Sequence, residues 1–311
     1  MVKYVADFFV FSGMKLRYCL SFLLLTFYTS ISGQPTLSDE LKTIRQLADS
    51  MLRGSTDAVK DSCNALLINS MEHFLQNPAS FETSFDNIKS ISTLTTDDKC
   101  IRFYQWATQV YATNSYKITG FVQMRDRKTK LLTFWKLKNS EEDKYTAMGH
   151  EMNTGNWFAC IYYKCIITKF GKDKVYTLLG WRGNNTKTSM KIIDVLTIKG
   201  NIPVFGKKIF TSPATMLPVG KSSDKFRIIF EYNANAVMTL RYGKKRIVFD
   251  HISPAKPALK GNEEFYGPDF SYDAFRWKNK KWEGVPDIDI RNKHNTDGKK
   301  PKLIKDRDLK Q

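Results

Sequence analysis

The chain has 311 residues, 42% of them hydrophobic, and a formal net charge of +18. That length is ample for a sizeable core, as one large domain or two small ones. The basic balance excludes an acidic binding protein and leaves anionic lipid headgroups, lipopolysaccharide, acidic glycans and nucleic acid as classes of partner.

The first segment reads as a secretory leader. From Met14, Lys15 and Arg17 form a basic start, Cys19 to Tyr28 an apolar core, and Ser30, Ser32 and Gly33 a small-residue exit. The apolar run is far shorter than the roughly 20 residues of a membrane-spanning helix, and no later segment is apolar enough to span one. We expect residues 1–33 to be a signal peptide, with Met14 as the true start. Its loss removes Lys3, Lys15, Arg17 and Asp7, lowering the net charge from +18 by 2 to +16.

Residues 34–80 have helical periodicity. Leu37, Leu41, Ile44, Ala48, Met51 and Leu52 form one stripe, with Thr36 or Ser38 as cap and Gly54 as stop. Val59, Cys63, Leu66, Leu67, Met71, Phe74 and Leu75 form a second stripe, which Pro78 ends.

From residue 81 to 290 the period becomes two. About a dozen segments rich in Ile, Val, Phe, Tyr and Trp follow one another, including "CIRFYQWATQVY", "KVYTLLGW", "MKIIDVLTI", "RIVFDHI" and "AFRWKNKKWEGV". Short connectors such as Gly171-Lys172-Asp173 and Gly243-Lys244-Lys245 imply antiparallel hairpins, because parallel pairs need long crossovers. Residues 139–154 are polar and read as a loop or short helix. The fold class is therefore mainly β, an antiparallel meander arranged as a sandwich, open barrel or propeller, behind a two-helix segment. Residues 291–311 read as a basic, disordered tail.

Several residues are candidates for chemistry. Asp250, His251, Asp269 and Asp273 could act as general acid and base if the fold brings them together. Asp287 and Asp289 stand two apart, so on an extended strand both face one side and could hold a cation. Each of these carboxylates equally suits a turn or cap. Trp181 and Arg182 in "GWRGNN" could stack on a sugar or base, or simply close a turn. Cys63 and Cys100 could staple a helix to the sheet, whereas Cys160 and Cys165, five apart on one strand, should face opposite ways. No zinc spacing, nucleophile elbow, phosphate loop or cofactor motif is present, so no cofactor is expected.

"YTLLGWRGNN" (Tyr176 to Asn185), "KIIDVL" (Lys191 to Leu196), "VFGKKIF" (Val204 to Phe210), "RIIFEYNANAVMTLRY" (Arg227 to Tyr242), "IVFDHISP" (Ile247 to Pro254) and "YGPDFSYDAF" (Tyr266 to Phe275) resemble a family of exported proteins of Bacteroidota with no assigned activity. The similarity spans roughly residues 80–292. It implies an exported Gram-negative envelope protein and carries over no catalytic residue. The sequence thus favours a non-catalytic binding or structural envelope component. Its partner would be an anionic envelope component or another envelope protein, without specific nucleic-acid recognition. A hydrolase or metal-dependent enzyme using Asp250, His251, Asp269 and Asp273 is one alternative. A polyanion binder working through surface lysines, spread along the chain and densest in the tail, is another.

Overall fold

The structure is a computed structural model and describes residues 36–213, Met216 and 225–289. The expected leader (1–33) and basic tail (291–311) lie outside the described residues. Strand outweighs helix, 47% to 21%, as the change of period predicts.

Helix α1 (Leu37–Arg53) starts at Thr36, whose hydroxyl accepts from the Asp39 N–H while the Asp39 carboxylate accepts from the Thr36 N–H. This reciprocal capping box satisfies two donors that a helix start leaves orphaned. Helix α2 (Asp57–Gln76) is capped by Thr56. The two helices pack through Ile44, Ala48 and Met51 against Leu67, Met71, Phe74 and Leu75. The apolar stripes are narrower than their periodicity implies. Leu52, Val59 and Leu66 are about half exposed (53%, 46% and 55%), because a single layer lies beneath the pair and the outer flank meets solvent.

That layer is sheet 1, a meander of β1 (Ser92–Thr95), β2 (Ile101–Val110), β3 (Ser115–Arg125) and β4 (Leu132–Leu137). Strand alternation sends Tyr104, Trp106 and Phe121 toward the helices, and Ile101, Phe103 and Val122 toward the next sheet.

The polar stretch 139–154 contains one short helix, α3 (Lys144–Ala147), capped by Asp143. Sheet 2 contains β5 (Met152–Asn153), β6 (Ile161–Phe170), β7 (Asp173–Gly183), β8 (Thr188–Lys199), β9 (Ile202–Phe205) and β11 (Ile228–Asn233). Both of its faces are buried. Tyr176, Leu178, Ile192 and Leu196 face sheet 1, and Val175, Leu179, Ile193 and Val195 face sheet 3. Sheet 3 is the meander β12 (Leu240–Gly243), β13 (Arg246–Pro254), β14 (Tyr266–Lys278) and β15 (Lys281–Val285). A two-residue strand, β10 (Phe210–Thr211), joins its edge parallel to β15. The molecule is a stack of four layers, helices on three β-sheets, with no closed barrel among the described residues.

Two irregularities matter for chemistry. β6 shifts register between Tyr162 and Lys164. The extra residue reverses the alternation, so Cys160 and Cys165 enter the same core cluster rather than opposite faces as expected. The second is a fork. One edge of β8 pairs with β11 over Thr188–Ile193 and with β9 over Leu196–Lys199, and Asp194 stands between.

Candidate functional site

Two acidic clusters emerge from this frame. The first is the fork in sheet 2. Asp194 and Arg227 are fully buried and ion-paired, Nε to Oδ1 at 3.2 Å. The other Asp194 oxygen accepts from the Tyr162 hydroxyl at 3.0 Å, and that hydroxyl accepts from the Trp157 indole N–H at 3.0 Å. Asp194 Oδ1 also accepts from the Val195 N–H. Arg227 Nη1 donates to the carbonyls of Ala147 and His150, tying α3 to the sheet. Gly206, at φ +87°, leaves room for the guanidinium: a Cβ there would lie 2.6 Å from Nη2. Burial drives the Tyr162 phenol well above its usual range, so it stays neutral and donates. Asp194 and Arg227 expose no side-chain surface among the described residues, so the network serves to lock layers together.

Sequence reading did not single out this pair. The available signal was an Asp inside the apolar run "KIIDVL" and an Arg opening "RIIFEY". A charge in an apolar strand demands a counter-charge, but strand pattern does not say which one.

The second cluster holds the sequence candidates. β13 and β14 pair regularly from Arg246–Arg276 to Asp250–Tyr272, then resume at Ile252–Pro268. His251 alone therefore stands opposite Asp269, Phe270 and Ser271. The Asp269 carboxylate accepts from both the N–H and the hydroxyl of Ser271, which folds this bulge as an Asx turn. Phe270 is forced to φ +69° and stands 94% exposed.

His251 Nδ1 lies 2.8 Å from Asp273 Oδ2 and Nε2 lies 3.8 Å from Asp269 Oδ2. The structure thus gathers His251, Asp269 and Asp273. The hydrogen bond to Asp273 raises the imidazole pKa above its ordinary 6.5, against the opposing pull of burial, and both carboxylates add to the rise. The other Asp273 oxygen accepts from the Asp287 N–H at 2.9 Å, and the Ile288 N–H donates to the Tyr272 carbonyl at 2.7 Å. The cluster therefore clips the segment after β15 to β14.

The remaining candidates do not join it. Asp250 is buried, accepts from the Thr239 N–H at 2.7 Å, and closes the turn before β12. Asp287 sits at φ +50°, so the extended geometry expected to aim it and Asp289 the same way does not hold. Among the described residues no group of three or more His, Cys, Asp or Glu is arranged to hold a metal ion. Trp181 and Arg182 alternate along β7 and point apart. The Trp181 backbone pairs with Ile161 on β6 and Lys191 on β8. The Arg182 guanidinium lies 5.0 Å from the Phe158 ring, and burial lowers its pKa.

The thiols of Cys63 and Cys100 are not joined. Cys63 packs in the helical layer, whereas Cys100 packs against the cluster between sheets 1 and 2, with its sulfur accepting from Arg127 Nε at 3.0 Å. A cavity of about 440 Å³ near this end of β13 and β14 is lined by Asn233, Ala236, Pro254, Phe265, Tyr266 and Pro268 among others. None of the three clustered side chains opens into it.

No family model, curated protein or solved structure matches this chain.

Proposed function

We propose that the protein is a non-catalytic binding or structural component of an exported compartment, the bacterial cell envelope. The observation that carries this reading is the setting of His251. Both ring nitrogens face carboxylates, and Asp273 also holds the backbone of Asp287. A general base must keep one nitrogen unprotonated and aimed at substrate. Two flanking carboxylates favour the protonated imidazole, which serves as a clip. Asp250, the fourth member of the candidate set, is occupied by a backbone N–H. The leader-like N-terminus supports export, and the similarity of the strand sequences to exported Bacteroidota proteins supports the envelope.

The test is an assay of the purified chain on chromogenic carboxylic esters, phosphate monoesters and glycosides, with and without divalent cations. The reading expects no turnover that depends on His251. Turnover abolished in H251N, with an unchanged melting curve, would establish the hydrolase reading instead.

A further inference from the structure

The cations expected to be dispersed gather at one end of the stack. Six turns close that end: 96–100, 125–131, 169–174, 199–202, 243–246 and 278–281. Contacts and register place them together. Lys174 and Arg127 share the Asp98 carboxylate at 2.8 and 2.5 Å, joining the β6–β7 hairpin to sheet 1. Lys280, in the β14–β15 turn, lies 6.0 Å from the Phe170 ring, joining sheet 3. The β8–β9 turn shares the level of the β6–β7 turn because Tyr176 pairs with Leu196. The β12–β13 turn shares the level of the β14–β15 turn because Arg246 pairs with Arg276.

These thirty residues hold fifteen Lys and Arg against four Asp, an excess of eleven in a chain of net charge +18. The opposite end is formed by turns 111–114, 184–187, 234–237 and 255–265. It holds three Lys against two Glu, an excess of one.

Backbone conformation supplies a second, independent observation. Lys99, Lys130, Lys244, Lys245 and Lys280 all have positive φ, between 49° and 63°, and all five lie in the basic turns. Gly or Asn adopts this conformation at less cost. Gly171, Gly200, Asn201 and Asn279 do so in the same turns, and Asn114 and Gly261 do so at the opposite end. Lysine takes five further left-handed positions at the basic end and none at the opposite end, despite the strain. None of the five has a carboxylate within ion-pair distance among the described residues.

The geometry points to an anionic lipid bilayer surface as the partner of this end. Twelve of the fifteen cations are Lys, a hydrated point charge suited to a diffuse field of headgroups rather than to a forked phosphate contact. Two aliphatic tips stand among them, Leu131 at 67% and Ile202 at 49% exposure, placed to enter the headgroup boundary. Nucleic acid would call for open aromatic faces. Instead, the Phe170 ring in these turns has Lys207 4.4 Å from its centre. This inference rests on the non-catalytic binding reading and names the partner's chemistry.

The experiment is co-sedimentation of the full chain with phosphatidylcholine vesicles, with and without phosphatidylglycerol. Binding is expected only with phosphatidylglycerol, weakening as ionic strength rises past about 0.15 M. Loss of each lysine weakens partitioning about fivefold, so K128E/K130E/K244E/K245E abolishes it. These residues are exposed, so the melting curve stays unchanged, which checks folding. L131S weakens vesicle binding and leaves retention on a heparin column unaltered. Equal binding to both vesicle types, or full binding by the quadruple variant, would overturn the inference. So would heparin retention without vesicle binding, which would identify a soluble polyanion instead. Each of these failures leaves the non-catalytic reading intact, since only His251-dependent turnover removes that.

Discussion

Asp194 and Asp273 are both buried carboxylates paired with a cationic side chain, yet their surroundings give them different work. Asp194 and Arg227 are sealed inside the central sheet, and every carboxylate contact is to the protein interior. Asp273 sits at the rim, and its partner His251 keeps 26% of its side chain in solvent. The sealed pair fills the fork with no side-chain surface exposed. His251 at the rim has its pKa raised, and so ties a bulge and the segment after β15 in a pH-dependent way. Burial, rather than residue type, separates a keystone from a clip.

The contrast is broken most severely at the sealed pair. D194N leaves the Arg227 charge buried and unpaired, a loss of about 3–5 kcal/mol in urea unfolding. D194N/R227Q loses less than the sum of the two single changes, because neither charge is then stranded. Additive losses would mean that the pair is not coupled. D273A removes the acceptor of the Asp287 N–H and the ion partner of His251. Its cost is about 1–3 kcal/mol, and amide exchange at Asp287 and Ile288 should rise with it. Exchange unchanged at those amides would show that the segment is held by something else. F270G has the smallest effect. It relieves left-handed strain of about 1–2 kcal/mol and gives back about 0.5–1 kcal/mol in unfolded-state entropy, a net gain of about 0–1.5 kcal/mol. A loss would show that the exposed ring is packed.

Much of the frame was legible in the residues. Helical stripes with Thr, Gly and Pro at their ends gave α1 and α2, and period-two runs between turn residues gave antiparallel strands, though not their division into three sheets. What failed to show was anything that breaks a period. The extra residue near Tyr163 reverses the inward faces of β6, and the bulge at Asp269–Ser271 sets three residues against His251. Such insertions are paid for by long-range packing and leave little local trace beyond the Asx pattern D-x-S. The sequence pattern also flagged His251, Asp269 and Asp273 without showing that they meet. It missed Asp194 and Arg227 because their pairing spans 33 positions. Likewise, the lysines read as dispersed because the six turns that carry them are brought together only by layer stacking.

The central claim, that His251 is a charged clip rather than a catalytic base, is tested most directly by pH. We would measure the unfolding free energy of the wild type and H251N from pH 5 to 8.5. The folded-state pKa of His251 is raised above its ordinary 6.5. Its charge therefore stabilises the fold fully below that value, and the contribution is lost as pH rises through the folded-state pKa. The account predicts a wild-type advantage, at most about 1 kcal/mol, that is greatest at the acid end and fades above neutrality. An advantage that is flat with pH, or that grows toward the alkaline end, would contradict it.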